Sequence, residues 1–194
     1  GWVSKKLGRR NGLILAAVLF LLSALGSAMP EMLIKPIGEA DHTFLYIFVF
    51  YRIVGGVGVG LASMLSPLYI AEIAPADIRG KLVSMNQFAI IFGMLVVYFV
   101  NYYIARQGDD TWLNTIGWRW MFASEIIPAL LFLLFLFFVP DTPRSLVLKD
   151  KPEKALEVLT KVNGLEEAKI ILAEIQNTVV SHSGKLFSFG TAVI

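Results

Sequence analysis

Apolar residues run almost without interruption through four long stretches of the sequence, at about residues 12–29, 44–65, 82–104 and 118–139. A helix that crosses the ~30 Å hydrocarbon core of a bilayer needs about 20 such residues, because a helix rises about 1.5 Å per residue. Each stretch must be helical, since lipid offers no hydrogen-bonding partner to exposed backbone. The alternating segments of a membrane β-barrel do not occur in the sequence. The pattern therefore predicts an all-α membrane protein with four spans.

A different pattern follows the fourth span. Over 150–183 the apolar residues recur at helical spacing among charged ones, which predicts short amphipathic helices interrupted at Asn163-Gly164. A solvated linker with an apolar stripe is the alternative for this segment. Residues 184–194 are apolar again and predict the start of a further transmembrane helix. The expected domains are thus a partial bundle of four spans over 1–149, amphipathic helices over 150–183, and the start of another span.

Basic residues assign the ends of the spans to two sides of the membrane. Thirteen of the 17 Lys and Arg residues lie in 1–10, 66–81 and 140–185. Because an excess of Lys and Arg marks the cytoplasmic side, residues 1–10 and 140–185 are predicted to be cytoplasmic.

Composition narrows the possible functions. The chain is 56% hydrophobic and 16% charged, whereas soluble domains carry about 25% charged residues, which excludes a soluble enzyme. A net charge of +2, with no basic stretch interleaved with aromatic residues, argues against nucleic acid as a partner. There is no cysteine, and the two histidines lie far apart, so we expect no metal site, cofactor or catalytic group. Because the sequence begins with Gly1 and ends in an apolar run, we expect it to be part of a longer chain.

Arg52 lies inside the second apolar stretch. An arginine near the bilayer centre costs at least about 2.5–3.5 kcal/mol, so it normally faces a bundle interior or a wet cavity and has a partner. Glu125 in the fourth span is the nearest acidic candidate, but we expect the partner to be a carboxylate outside this sequence. Snorkelling of Arg52 to the outer interface is the alternative. Gly56 and Gly60 predict a face on which another helix packs closely.

The third span carries amide side chains within an apolar helix. Gln87 offers one acceptor and two donors, which suits a neutral polyhydroxylated ligand, and Met94 falls on the same helix face. Hydrogen bonding between helices is the alternative role for Asn86 and Gln87. Because Arg52 is almost the only charge inside the spans, a strongly charged substrate is not expected.

Closely spaced opposite charges, framed by prolines, occur at the predicted cytoplasmic ends of the spans. They are Glu72, Asp77, Arg79, Asp141 and Arg144. This spacing predicts a salt-bridge network that stabilises one arrangement of the helix ends. Solvated charges that only orient the chain are the alternative.

Several motifs follow one another along the whole sequence. They are Gly8-Arg9-Arg10; Arg52 with Gly56, Gly58 and Gly60; Pro67, Tyr69, Glu72, Pro75, Arg79, Gly80 and Gln87; Gly117-Trp118-Arg119; and Pro140-Asp141-Thr142-Pro143-Arg144. In this order they resemble the sugar porter family of the major facilitator superfamily, and most closely its bacterial xylose–proton symporters. The sequence departs from the family in Lys5-Lys6 before the first motif, in Asp141 and Ser145 within the Pro-Glu-Ser-Pro-Arg-Trp pattern, and in Met94, where those symporters carry a second Gln.

The resemblance implies a partial N-terminal helix bundle of the major facilitator type, with the four spans as helices 3 to 6 of twelve, plus short intracellular helices. It implies secondary active transport of a monosaccharide, xylose or a similar pentose or hexose, by proton symport with alternating access. The implied location is the bacterial inner (plasma) membrane, as a multi-pass protein. The implied partners are the sugar, the proton, the lipid bilayer and the remainder of the transporter chain.

The resemblance also implies roles for individual residues. Gln87 would bind the sugar with Met94 beside it, and Arg52 would couple transport to the proton by pairing with a protonatable Asp. The implied cytoplasmic gate network consists of Arg9, Glu72, Arg79, Asp141 and Arg144. A proton-independent facilitative uniporter and a non-transporting sugar sensor of the same fold are the alternative functions.

Overall fold

A computed structural model of the chain describes residues 7–31 and 42–190, without the side chains of Thr43 and of 180–190. The described parts are helical, joined by turns, and contain no strand. The long helices are α1 (Arg9–Ala28), α2 (Leu45–Ile73), α3 (Arg79–Ala105) and α4 (Asp110–Phe138). The shorter helix α5 (Pro143–Leu148) is followed by α6 (Pro152–Asn163) and α7 (Leu165–Gly190). A 3-10 turn at His42–Phe44 precedes α2.

The four predicted spans are confirmed, since α1 to α4 are each long and apolar enough to cross a membrane. The helix of the second span does not end at the predicted end of the span before Ser66-Pro67, because α2 continues through Pro67 to Ile73. Proline removes one backbone donor and usually kinks a helix. At this point the Ser66 hydroxyl donates to Oδ1 of Asn86 on α3 at 2.8 Å, which ties the two helices together beside the proline.

The helix of the fourth span begins earlier than the predicted span. It starts at Asp110 rather than at residue 118, and the Asp109 carboxylate accepts a hydrogen bond from the Trp112 backbone N–H at 2.8 Å. This side chain caps the first turn, which the hydropathy of the segment does not reveal. A π-helical turn at Leu113–Gly117 follows the cap. Such turns insert one extra residue per turn and change the direction of the side chains after them.

The amphipathic region contains two helices separated at Gly164. This glycine has a φ of +81°, which only glycine adopts readily, and its N–H bonds to the Thr160 carbonyl at 3.0 Å. Helix α7 continues without a break through residue 184, where we placed the start of the next span. Residues 191–194 lie outside the described part of the chain. The division into domains at 150 and 184 stays a prediction.

The chain forms two compact units. One, which we call the span unit, comprises Gly12–Ser66 and Ser84–Val139. The other, which we call the end unit, comprises Gly1–Asn11, Pro67–Val83 and Pro140–Ile194.

The centre of the span unit contains small residues. Ala16, Ala17 and Ala24 of α1 are almost fully buried. On α2 the buried glycines are Gly55 and Gly58. Small residues allow helix backbones to approach closely.

The glycines that make these contacts differ from the expected pair. A Cβ at Gly58 would lie 3.2 Å from the backbone carbonyl oxygen of Ala16, and one at Gly55 would collide with the Ser23 hydroxyl. Around Gly56 and Gly60, no atom of the described residues lies within 4 Å of such a Cβ. The face at Gly55 and Gly58 therefore packs on α1, and close packing at Gly56 and Gly60 stays a prediction.

Replacing Gly58 with Val should destabilise the complete protein by about 1–3 kcal/mol, because the Ala16 carbonyl belongs to rigid helix backbone and cannot move aside. Gly58→Ala adds only the first carbon and should cost less. Thermal unfolding in detergent measures the graded loss. Equal stability of the Gly, Ala and Val forms would contradict this packing.

Candidate functional site

The guanidinium of Arg52 on α2 extends towards the carboxylate of Glu125 on α4. Arg52 Nη1 lies 3.6 Å from Glu125 Oε2, and the two side chains are 45% and 42% exposed. A direct charge-assisted hydrogen bond would measure about 2.7–2.9 Å, so the two groups form a loose ion pair with space for a further partner. We expected the partner of Arg52 to lie outside this sequence. Glu125 is within ion-pair range, and a second carboxylate from elsewhere stays a prediction.

A cavity of about 440 Å³ surrounds this ion pair. Its other lining residues come from α1, α2 and α4, among them Phe20, Ser23, Gly56 and Phe132. Most of this lining is apolar, which concentrates the electric field of the few charges present.

Aromatic rings support the cationic side of the site. The guanidinium carbon of Arg52 lies 5.1 Å from the centre of the Phe122 ring, within range for a cation–π interaction. Phe122 packs edge-on against Phe48, with ring centres 5.3 Å apart. Arg52 is therefore positioned by packing on α4 as well as by Glu125.

The predicted sugar ligands lie on the exposed surface of α3. Gln87 is exposed and makes no hydrogen bond to any described residue, and Met94 is 59% exposed. The two residues are seven positions apart, which places them on the same side of a helix. No residue of α3 is buried within the chain. The neighbouring Asn86 instead bonds to Ser66, the interhelical role we considered for it.

In the end unit, Arg9 and Glu72 form a largely buried ion pair. Arg9 donates to Oε1 of Glu72 from Nε at 3.0 Å and from Nη2 at 2.7 Å. The two side chains are 8% and 11% exposed. Breaking a buried pair leaves an uncompensated charge and typically costs about 3–5 kcal/mol. This pair therefore favours the arrangement in which the start of α1 lies beside the end of α2.

Asp141 accepts hydrogen bonds on both carboxylate oxygens. Oδ2 receives Lys149 Nζ at 2.6 Å and the Ser145 hydroxyl at 2.9 Å. Oδ1 receives the backbone N–H of Thr142 at 2.9 Å and that of Arg10 at 3.4 Å. Burial alone would raise the pKa of Asp141, but the hydrogen bonds from Lys149 and Ser145 outweigh it and lower the pKa below its ordinary value. We call these five residues the Asp141 cluster.

Gly8 lies directly against this cluster. Its φ is +86°, and an added Cβ would lie 2.5 Å from Ser145 Oγ and 2.9 Å from Asp141 Oδ2. Both the backbone conformation and the available space therefore require glycine at this position.

The other two predicted gate residues lie apart from these pairs. Arg79 donates from Nη2 to the Ala74 carbonyl at 3.2 Å. Neither Arg79 nor Arg144 forms an ion pair with any residue in the described ranges. The structure thus brings together Arg9 with Glu72, and Asp141 with Lys149. The participation of Arg79 and Arg144 in a gate stays a prediction.

One buried ion pair was missed in the sequence. Glu31, which is fully buried, lies 2.6 Å from Arg119 Nη1, and that guanidinium carbon lies 4.6 Å from the centre of the Trp118 ring. The predicted topology could have indicated this pair, because Glu31 follows the first span and Arg119 lies at the start of the apolar part of the fourth span. Both positions belong to the predicted outer side of the membrane.

A charged pair that faces a cavity inside membrane spans commonly marks the path of a substrate or an ion. Residues 1–191 match the family model described as "Sugar (and other) transporter". The chain belongs to this family. The D-xylose-proton symporter of Escherichia coli K12 is 54% identical over 204 residues, which cover 100% of this chain and 41% of that protein. The chain thus spans less than half the length of this relative.

Other relatives carry different names. The glucose facilitated diffusion protein of Zymomonas mobilis is 37% identical, with 100% of this chain and 41% of that protein covered. The arabinose-proton symporter of Bacillus subtilis is 40% identical, with 92% of this chain and 36% of that protein covered.

The fold matches solved structures of a transporter. The partially occluded inward-open conformation of the E. coli xylose transporter XylE matches with a TM-score of 0.89 at 54% identity, covering 95% of this chain and 45% of that one. XylE bound to 6-bromo-6-deoxy-D-glucose matches with a TM-score of 0.91 at 53% identity, covering 98% and 42%. The predicted fold is confirmed: the chain is part of a major facilitator helix bundle and a multi-pass protein of the bacterial inner membrane.

Replacing Asp141 with Asn should destabilise the complete protein at neutral pH by about 1–3 kcal/mol, because its hydrogen bonds lose their charge. A carboxyl with a lowered pKa stabilises the fold above its unfolded pKa of about 3.9, and this stabilisation is lost as pH falls through the folded value. Thermal unfolding between about pH 7 and pH 3 should therefore show the gap between the two forms closing in acid.

Glu157→Gln provides the matched control, because Glu157 forms an exposed ion pair with Lys161 on α6. This change should leave the unfolding temperature unaltered. A gap for Asp141→Asn that stays constant down to acid pH would contradict the assigned role of the carboxylate.

Proposed function

We propose that the complete protein containing this chain carries a monosaccharide, xylose or a similar pentose or hexose, across the bacterial inner membrane together with a proton. Transport proceeds by alternating access, in which two helical halves rock about a sugar site near the middle of the membrane. The observation that carries this proposal is the Arg52–Glu125 pair inside a cavity of the spans.

The pair supplies a chemical basis for proton coupling. Glu125 is a carboxylate that can accept a proton, and its loose contact with Arg52 at 3.6 Å leaves an oxygen accessible. Protonation removes one of the two opposite charges and so weakens the attraction between α2 and α4. A proton that binds one conformation more tightly shifts the population towards it.

Gln87 and Met94 are the proposed contacts to the sugar. The Gln87 amide can donate to and accept from sugar hydroxyl groups, and Met94 adds an apolar surface for the ring carbons. Both side chains are exposed on α3 within this chain, and Gln87 is not engaged in any hydrogen bond to a described residue.

Arg9, Glu72 and Asp141 are proposed to belong to a cytoplasmic gate. Their contacts at 2.6–3.4 Å favour one arrangement of the helix ends, and opening towards the cytoplasm would require some of them to break. Sugar and proton binding would then provide the free energy for this change.

Facilitated diffusion is the second candidate function. It is supported by the relative named as a glucose facilitated diffusion protein. The same fold would then carry sugar without a proton, and Arg52 and Glu125 would only stabilise the helix packing.

Gln87→Ala in the complete protein should weaken sugar binding about 5- to 100-fold, because a buried sugar hydroxyl would lose its partner. Isothermal titration with xylose and glucose measures the affinity. Gln107→Ala is the matched control. Gln107 lies just beyond the end of α3, and its amide donates a hydrogen bond to the Tyr103 carbonyl. An unchanged affinity for Gln87→Ala would remove Gln87 from the sugar site.

Glu125→Gln keeps the size of the side chain but cannot take up a proton. In proteoliposomes this variant should lose accumulation of sugar driven by a proton gradient, while exchange of sugar between the two sides continues. Glu166→Gln, which removes an exposed carboxylate paired with Lys169 on α7, should retain both activities. Undiminished proton-driven accumulation of sugar in Glu125→Gln would exclude Glu125 from coupling. If the wild type itself shows no proton-driven accumulation, facilitated diffusion is favoured.

A further inference from the structure

The end unit contains a second cavity, with a volume of about 420 Å³. Basic side chains outnumber acidic ones in its lining, with five cations and two carboxylates. The cations are Arg10, Lys149, Lys151, Lys154 and Lys161. The carboxylates are Asp141 and Glu157.

Each of the two carboxylates already has a cationic partner. Asp141 Oδ2 lies 2.6 Å from Lys149 Nζ, and Glu157 Oε1 lies 2.8 Å from Lys161 Nζ. Lys151 and Lys154 form no ion pair with any residue in the described part of the chain. The cavity therefore carries an excess of positive charge that its own acidic groups do not neutralise.

The basic residues of α6 occupy one face of the helix. Lys154, Val158 and Lys161 follow one another at three- and four-residue spacing, so their side chains point in the same direction. An adjacent face of the helix is fixed by packing, since Ala155 and Leu159 are buried. A fixed helix holds its like charges together in a concave site, where the local potential is stronger than on a convex surface.

The remaining lining residues belong to the borders of the spans. Arg10 and Asn11 lie in the first turn of α1, and Pro140 follows α4 almost directly. These residues are adjacent in sequence to the ends of the apolar spans, on the side that the basic residues predict to be cytoplasmic, so we expect lipid headgroups near them. Anionic phosphate groups are concentrated at this surface.

We propose that this cavity binds a phosphate-bearing anion, either the phosphodiester headgroup of an anionic phospholipid or a small soluble phosphate. Lysine ammonium groups bind phosphate oxygens as point charges and do not demand one geometry. The volume suits a single phosphate with a small substituent. Because Lys149 both lines the cavity and contacts Asp141, an anion bound here acts directly on the Asp141 cluster.

The test uses the complete protein and two variants that remove the same charge. In the pocket variant, Lys151→Gln is combined with Lys154→Gln. In the control variant, Lys81→Gln is combined with Lys169→Gln, at exposed lysines that do not line the cavity. Unfolding temperatures without added anion should agree among the wild type and both variants, because none of these lysines is buried.

Binding of phosphatidylglycerol to the detergent-purified protein is then measured by native mass spectrometry, with phosphatidylcholine as the neutral lipid. The pocket variant should bind phosphatidylglycerol about 10- to 30-fold more weakly than the wild type, since each lysine near a headgroup contributes a several-fold factor. The control variant should retain the affinity of the wild type.

Inorganic phosphate, titrated in the absence of lipid, separates the two sources of the anion. A rise in unfolding temperature that is lost in the pocket variant would assign the cavity to a soluble phosphate. A response to phosphatidylglycerol alone would assign it to a headgroup. The proposal is overturned if both double variants lose affinity equally, or if neither anion distinguishes the pocket variant from the wild type.

Discussion

The guanidinium of Arg52 is a charge inside an apolar span, and the surrounding helices must supply groups that stabilise it. A permanent positive charge inside an apolar span is unfavourable by several kcal/mol unless other groups compensate it. The chain supplies the ring of Phe122, whose centre lies 5.1 Å from the Arg52 guanidinium carbon, and the carboxylate of Glu125, which lies 3.6 Å from Arg52 Nη1, within a cavity of the span unit. This compensation is loose, so protonation or a further partner can alter it at modest cost. A tight and fully buried pair would stabilise the bundle but would respond less readily.

The end unit is built on the opposite principle. Its ion pair between Arg9 and Glu72 is short and largely buried, and both carboxylate oxygens of Asp141 accept hydrogen bonds. Short contacts of this kind favour one discrete arrangement, because a partly broken buried network costs more than an intact one. A transporter requires both kinds of contact: a site that responds to its ligands, and helix ends with only a few stable arrangements.

Much of this fold could be predicted from sequence because hydrocarbon thickness sets the length of a span, and the charge of Arg52 is conspicuous within one. Hydropathy does not report backbone hydrogen bonding, so it could not reveal that α2 continues through Pro67 or that Asp109 caps α4. The contact of Asp141 with Lys149 depends on the short helix α5 between them. Side-chain partners of this kind depend on the three-dimensional course of the backbone, which the separation of two residues in the sequence does not give.

Movement of protons with sugar tests the central claim most directly. Proteoliposomes containing the complete wild-type protein, with no ion gradient imposed, would receive xylose or glucose on the outside while the external pH is recorded. The medium should become alkaline as sugar enters, because each sugar carries a proton inward past Arg52. Sugar entry with no change in external pH would contradict proton coupling at this site.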